Sequence, residues 1–292
     1  MADRSPTKIL IALIIAIAIG AAVAVAGSDG SVALHGWPLF ALCGALAFAI
    51  NWLVFLPSSL AQTEKFYDLT GGISYLAVTL LACFGANSLD TRGLLVAALV
   101  VIWSTRLATF LFIRISKDGH DSRFDDIKTN RLRFFVSWTL QGLWVLLTAA
   151  GALVVITTEA RVPMGWVGWL GLAVWVIGFG FEAIADRQKS QFRKHPANNG
   201  KFINTGLWAW SRHPNYFGEI TLWIGVTIIA LPVLSGGQWV ALISPIFVTF
   251  LLTKVSGIPM LQEKAEKRWG DDPEFRRYMD NTPALIPRPP TK

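Results

Sequence analysis

The chain has 292 residues, 53% of them hydrophobic and only 15% charged, with 13 Trp and a formal net charge of +7. A soluble domain carries about 25% charged residues, so this composition argues against a large soluble core and for a polytopic membrane protein. Two cysteines, Cys43 and Cys83, lie in apolar runs and are too few for a disulfide framework or a metal site.

Eight apolar stretches follow one another along the chain, over residues 9–26, 38–56, 71–88, 93–113, 135–157, 165–185, 217–233 and 238–256. Each is roughly long enough to cross a bilayer as a helix, which takes about 17–25 residues. The first has a basic flank like that of a signal peptide, but we read it as a retained helix. With the N-terminus in the cytoplasm, the connections 57–70, 114–134 and 186–216 and the tail 257–292 fall on the cytoplasmic side. Nearly all Lys and Arg lie there, with Arg92 and Arg161 on the other side, as the positive-inside rule requires. The charge therefore needs no nucleic-acid partner. The junction "ALPVLSGGQWVALISP" leaves seven spans as the alternative to eight, and the basic C-terminal tail favours eight. The expected architecture is all-α, a single membrane domain over residues 1–292. It would be an integral, multi-pass protein with both termini cytoplasmic, in the cell membrane if the source is bacterial.

Ionisable residues inside such spans are costly, about 2.5–3.5 kcal/mol each at the bilayer centre on insertion scales, so their positions are informative. "AQTEKFYDLTGG" puts Gln62, Glu64, Tyr67 and Asp68 at the start of the third span, with Glu64, Tyr67 and Asp68 at helical spacing. Arg106 lies mid-span in "VVIWSTRLATFLF". Glu182 and Asp186 end the sixth span, and Asn215 and Glu219 open the seventh, with Trp223 continuing that face. Asp68, Arg92 and Glu159 read as interfacial residues or ion-pair members. Arg106 is the right type of partner for a buried Glu219.

The loop before the seventh span mixes Arg187, Lys189, Arg193, Lys194, Arg212 and His213 with Asp186, Asn199, Asn204 and Asn215. Topology alone needs only the cations. Amides and carboxylates among them suit a nucleotide, and Pro214 starts a helix whose free N–H groups favour an anion. No GxGxxG follows a strand, and GxxxxGK[ST], HExxH, CxxC and GxSxG are absent. No metal site is expected.

"ADRQKSQFR", "NTGLWAWSRHPNYFGEITLWIG" and "EKRWGDDPEFRRYMDNTPALIP" resemble the membrane steroid 5α-reductase family, most closely its bacterial members. The similarity covers residues 60–287 and is strongest over 182–223. It implies a helical bundle with a cofactor cavity closed by cytosolic loops. The implied reaction is NADPH-dependent reduction of the Δ4 double bond of 3-oxo-Δ4-steroids, or of a related lipophilic enone. It implies NADPH contacts at Asp186, Arg193 and Asn215, with Glu219 bracing the pocket and Trp223 along it. Arg106 matches an arginine of the family, Glu64 matches the glutamate at the steroid carbonyl, and Trp103 stands where the family has a substrate-contacting tyrosine. Asn204, Arg212, His213 and Tyr216 join the cofactor candidates; Gln62, Trp103 and Trp223 are the substrate candidates. Glu64, if desolvated, would be protonated near neutral pH and would donate to the carbonyl, with Tyr67 beside it. "RHPNYFGE" and "ALIP" also resemble S-adenosylmethionine-dependent methyltransferases of prenylcysteine or phospholipid, which is the alternative. A transporter would show matched broken helices, which the sequence lacks.

Overall fold

A computed structural model describes residues 5–86, 88–118 and 121–290. The chain is almost entirely helical: α1 (Pro6–Gly27), α2 (Leu39–Leu60), α3 (Tyr67–Gly85), α4 (Thr91–Asp118), α5 (Arg131–Thr157), α6 (Gly165–Lys194), α7 (Pro214–Ala230), α8 (Ile243–Phe250), α9 (Ile258–Trp269) and α10 (Pro273–Asn281). A two-stranded hairpin, β1 (Ala33–Leu34) and β2 (Trp37–Pro38), links α1 to α2. Among the described residues eight helical stretches are long and apolar enough to cross a membrane. The chain is thus an integral, multi-pass membrane protein with a lipid bilayer around it. The eighth stretch, Gly236–Trp269, is not one regular helix. A 3-10 segment (Gly236–Leu242) leads into α8, and a π turn (Leu251–Val255) precedes α9.

The chain divides into two compact units, residues 1–165 with 229–243, and residues 166–228 with 244–292. In the first unit α5 is the central helix. Every residue from Val145 to Thr157 is buried, the pattern of a helix apolar on all sides and packed on all sides. By contrast α1 exposes Leu10, Ile11, Ile14 and Ile15, a face suited to lipid. Arg92, at the start of α4, is only 1% exposed. Its guanidinium donates to the carbonyls of Pro163 (2.6 Å), Met164 (3.1 Å), Val162 (3.2 Å) and Ile229. The interfacial or ion-pair role expected for Arg92 is thereby corrected. It is a buried cation whose hydrogen bonds go to main-chain oxygens, one of them an orphan carbonyl in the last turn of α7.

In the second unit α6 and α7 approach backbone to backbone. A Cβ added at Gly218 would lie 2.5 Å from Glu182 N, and one at Gly225 would lie 2.6 Å from Trp175 N. Only glycine permits this contact, the small-residue packing typical of helices in lipid. It fixes the end of α6, with buried Glu182 and Asp186, against the start of α7.

Candidate functional site

Two polar clusters carry the residues singled out by the sequence. The first, in unit 1, surrounds Glu64. This residue precedes α3 in a turn rather than lying on the helix, and Tyr67 N–H donates to its carbonyl (2.8 Å). The side chain is 5% exposed. One carboxylate oxygen accepts from Asp121 N–H (3.0 Å), the other from Lys128 Nζ (2.9 Å). Burial alone would raise its pKa, but the Asp121 N–H and the Lys128 ammonium outweigh burial and hold it below the usual carboxylate range. The expectation of a protonated Glu64 is therefore corrected: both oxygens are already bound to donors that favour the anion. Lys128 also pairs with Asp125 (3.4 Å), and Arg123 bridges Asp121 and Asp68 (3.8 Å to the latter).

Tyr67 opens α3, and its hydroxyl donates to Ser137 O (2.9 Å). Its ring packs 4.7 Å from Phe124 and 5.2 Å from Trp138. Gln62 is exposed in a left-handed turn (φ 48°). Trp103 is buried on α4 with its ring edge-on to Tyr75 at 5.0 Å, and Arg106 is half-buried one turn further on.

The second cluster lies wholly in unit 2. The end of α6, the loop after it, α9 and α10 enclose a cavity of about 300 Å³. Six cations line it, Lys189, Arg193, Lys201, Arg212, Lys264 and Arg268, and none of its lining residues is acidic. Aromatic faces alternate with them. Lys189 Nζ lies 4.3 Å from the centre of the Trp208 ring, and the Arg268 guanidinium lies 4.9 Å from that of Trp269.

His213 is 9% exposed and lines the cavity, and its Nδ1 has no hydrogen-bond partner among the described residues; nor has Arg212 Nε. Burial first, then the charges of Lys189 and Arg212, push the His213 imidazole down to about 3. His213 is therefore neutral at physiological pH and presents one acceptor and one donor.

The wall is held by main-chain bonds. Tyr278 OH donates to Trp208 O (2.7 Å), Trp208 Nε1 to Ala185 O (3.0 Å) and Arg212 N–H to Pro283 O (2.9 Å). Ser211 Oγ reaches Leu285 O (2.8 Å), and Arg288 N–H reaches Trp210 O (2.9 Å). The "ALIP" tail is thus a strap across the "WSRH" segment.

Of the cofactor candidates, the cavity lining contains Arg193, Arg212 and His213. Asp186 is buried on α6, Asn204 is exposed, and Asn215, Tyr216 and Glu219 are half-buried at the start of α7. Tyr216 stacks on His213 at 5.5 Å. Trp223, one turn past Glu219, is buried. Arg106 belongs to the other unit. Lys201, Lys264, Arg268, Trp208, Trp269 and Tyr278 were not singled out by sequence. Their one signal is "EKAEKRW", where Lys264 and Arg268 recur at i, i+4, and the positive-inside rule already accounts for such residues.

Fold and cavity together define a polytopic helical membrane protein with a cationic and aromatic pocket. The chain belongs to the DUF1295 family, described as protein of unknown function, whose model matches residues 54–282. That span begins within α2, ahead of Glu64, and ends just past α10. An uncharacterized protein of Schizosaccharomyces pombe is 26% identical over 170 residues, 48% of this chain and 48% of that protein. The Delta(14)-sterol reductase of Saccharomyces cerevisiae is 41% identical over 68 residues, 20% of this chain and 16% of that enzyme. The chain thus spans about half or less of the curated relatives it matches. No solved structure matches.

Proposed function

We propose that the protein is a membrane oxidoreductase that reduces the carbon–carbon double bond of a lipophilic enone, of the 3-oxo-Δ4-steroid class, with NADPH as reductant. The observation that carries this reading is the unit 2 cavity, with six cations, no carboxylate in its lining and aromatic faces beside the cations. A dinucleotide phosphate is a polyanion with flat ring systems, and that donor set suits it. The orphaned His213 Nδ1 and Arg212 Nε give it two further polar partners. Arg193, Lys189, Arg212, Lys264 and Arg268 would hold phosphates, and Trp208 and Trp269 would offer faces to the rings.

When bound, NADPH supplies a hydride to the β-carbon of the enone, and the α-carbon takes one proton from solvent. Everything else falls to the chain. The cations bind and orient the phosphates. Polarising the enone carbonyl falls to a donor beside Tyr67 in the unit 1 cluster. Glu64, acceptor-only as an anion, positions Lys128 and the Asp121 N–H of that cluster rather than donating itself. The partial likeness to a sterol reductase supports a reduction of a polycyclic lipid. The same cavity weighs against S-adenosylmethionine, whose sulfonium would enter a ring of like charges.

The bulk of Lys and Arg on one set of loops supports a cytoplasmic position for those loops and for both termini. The test is a thermal-shift series on the detergent-purified chain with NADPH, NADH and S-adenosylmethionine, followed by a spectrophotometric assay of NADPH oxidation with a 4-en-3-one steroid. NADPH at 100 times its Kd should stabilise the protein by about 2.7 kcal/mol, and the steroid should drive its oxidation. Stabilisation by S-adenosylmethionine alone would overturn the reading.

A further inference from the structure

We infer that the aromatic box of unit 1 that now holds Phe124 is the receptor for the ring end of an apolar, carbonyl-bearing ligand. In this inference Phe124 is a built-in stand-in for that ring, and the Trp138 N–H is the donor that meets the carbonyl. It deepens the enone reading above and rests on it for the class of ligand.

Phe124 sits in a short turn between α4 and α5, yet it is as buried as a core residue, at 6% exposure. It inserts among Tyr67, Phe134 and Trp138, with Val54, Phe55 and Ile127 packed around them. The rings are edge-on or tilted: Phe124 to Phe134 at 6.2 Å, Phe134 to Trp138 at 5.9 Å, Phe55 to Phe134 at 5.9 Å. A loop residue thus supplies one planar ring to a box whose other walls come from helices α2, α3 and α5.

The box is apolar but for the Tyr67 hydroxyl, already committed to Ser137 O, and the Trp138 indole N–H. Trp138 is fully buried, and its Nε1 has no hydrogen-bond partner among the described residues. One turn deeper on α5, Gln141 Oε1 is also unpartnered, its amide nitrogen being committed to Tyr67 O (3.0 Å). Leaving a buried donor unmet costs about 1–3 kcal/mol, and an aromatic ring face meets it only weakly. A ligand carbonyl can meet it directly. An apolar ring with one acceptor at its edge satisfies the box better than its resident does.

The segment carrying Phe124 is fastened in a way that permits release. Its ties to the helices are ion pairs at the mouth: Lys128 to Glu64, and Arg123 to Asp68 with its guanidinium 35% exposed. The part-exposed Arg123–Asp68 pair holds weakly, at about 0–1 kcal/mol, whereas Glu64, 4% exposed in its pair with Lys128 and also accepting from Asp121 N–H, is the firmer tie. Glu64 therefore acts as the anchor of a strap that a ligand displaces.

The experiment is equilibrium binding of tritiated progesterone, a 4-en-3-one, to the detergent-purified full-length chain and to two variants, Phe124→Ala and Trp138→Phe. NADPH binding is measured in parallel. Removing the stand-in abolishes the population penalty on the open form, so Phe124→Ala should bind the steroid about tenfold more tightly. Trp138→Phe keeps the ring and deletes only the donor. It should bind about tenfold more weakly with its thermal midpoint unchanged or raised, a result that a purely structural Trp138 would not give. NADPH affinity should stay constant in both. Steroid affinities within twofold of the parent in both variants, or no steroid binding to Phe124→Ala while NADPH still binds, would overturn this inference and leave the cofactor reading standing. Loss of NADPH binding in the parent chain would instead overturn that reading. If Phe124→Ala does not fold, Trp138→Phe decides alone.

Discussion

Glu64 and the cationic cavity of unit 2 treat charge in opposite ways. Around Glu64 every charge is met: two donors on its carboxylate, Asp125 on Lys128, Asp121 and Asp68 on Arg123. Around the cavity six cations converge with no acid in the lining, and two polar atoms are left over. Matched charge holds a fold together. Several charges of one sign around a concave site raise the local concentration of ligands of the other sign. The difference can be attacked from either side.

The largest effect should come from the most completely matched group. Arg92→Ala strips four main-chain carbonyls of their donor, two of them in fully buried bonds, and should lower stability by about 2–5 kcal/mol, since each buried acceptor left unmet costs about 1–3 kcal/mol. Urea or thermal unfolding in detergent measures it, and a loss below about 1 kcal/mol would mean that the carbonyls find other partners.

Next come the cations of the cavity. Arg193→Ala should raise the KM for NADPH about tenfold, one lost charge-assisted contact of about 1.4 kcal/mol. Steady-state kinetics at fixed steroid concentration checks this, and an unchanged KM would remove Arg193 from the site.

A smaller, pH-dependent effect follows from His213. Its folded-state pKa is lowered to about 3, whereas an unfolded imidazole titrates near 6.5. Below about pH 6.5 the unfolded chain binds a proton that the folded chain refuses, so stability falls as pH falls. In His213→Asn that part of the acid slope should disappear. Glu64 acts with the same sign in a lower window. Its lowered pKa gives stability that is present above the ordinary carboxylate range and lost as pH drops through its folded value. Glu64→Gln should flatten the profile there. Smallest of all, Lys267→Ala removes only the exposed i, i+4 pair with Glu263 and should change neither stability nor cofactor binding in the same assays.

What the sequence disclosed follows the same division. The eight spans were legible because length and apolarity alone decide them, and the junction between the seventh and eighth, singled out as the doubtful stretch, contains 3-10 turns at Leu231–Val233 and Gly236–Leu242. Arg92 was misjudged because its partners are main-chain oxygens, which no side-chain pattern records. The ionised state of Glu64 was hidden because Lys128 lies 64 positions away in a polar loop that topology alone seemed to explain. Arg193, Arg212 and His213, which line the cavity, stood out because amides and carboxylates stood among them. Lys264 and Arg268 were passed over because a basic tail after the last span already had a sufficient cause. Only the fold of α9 against the loop 195–213 shows them turned to a common cavity.

Those two residues give the most direct test of the account's centre, that the cavity of unit 2 is a polyanion site. NADPH should be titrated against the intact purified chain and against the double variant Lys264→Ala/Arg268→Ala, at low and at physiological salt. The account predicts saturable binding by the parent, weakened as salt rises, and at least about a tenfold loss in the variant. Equal affinity in both, at either salt, would contradict it.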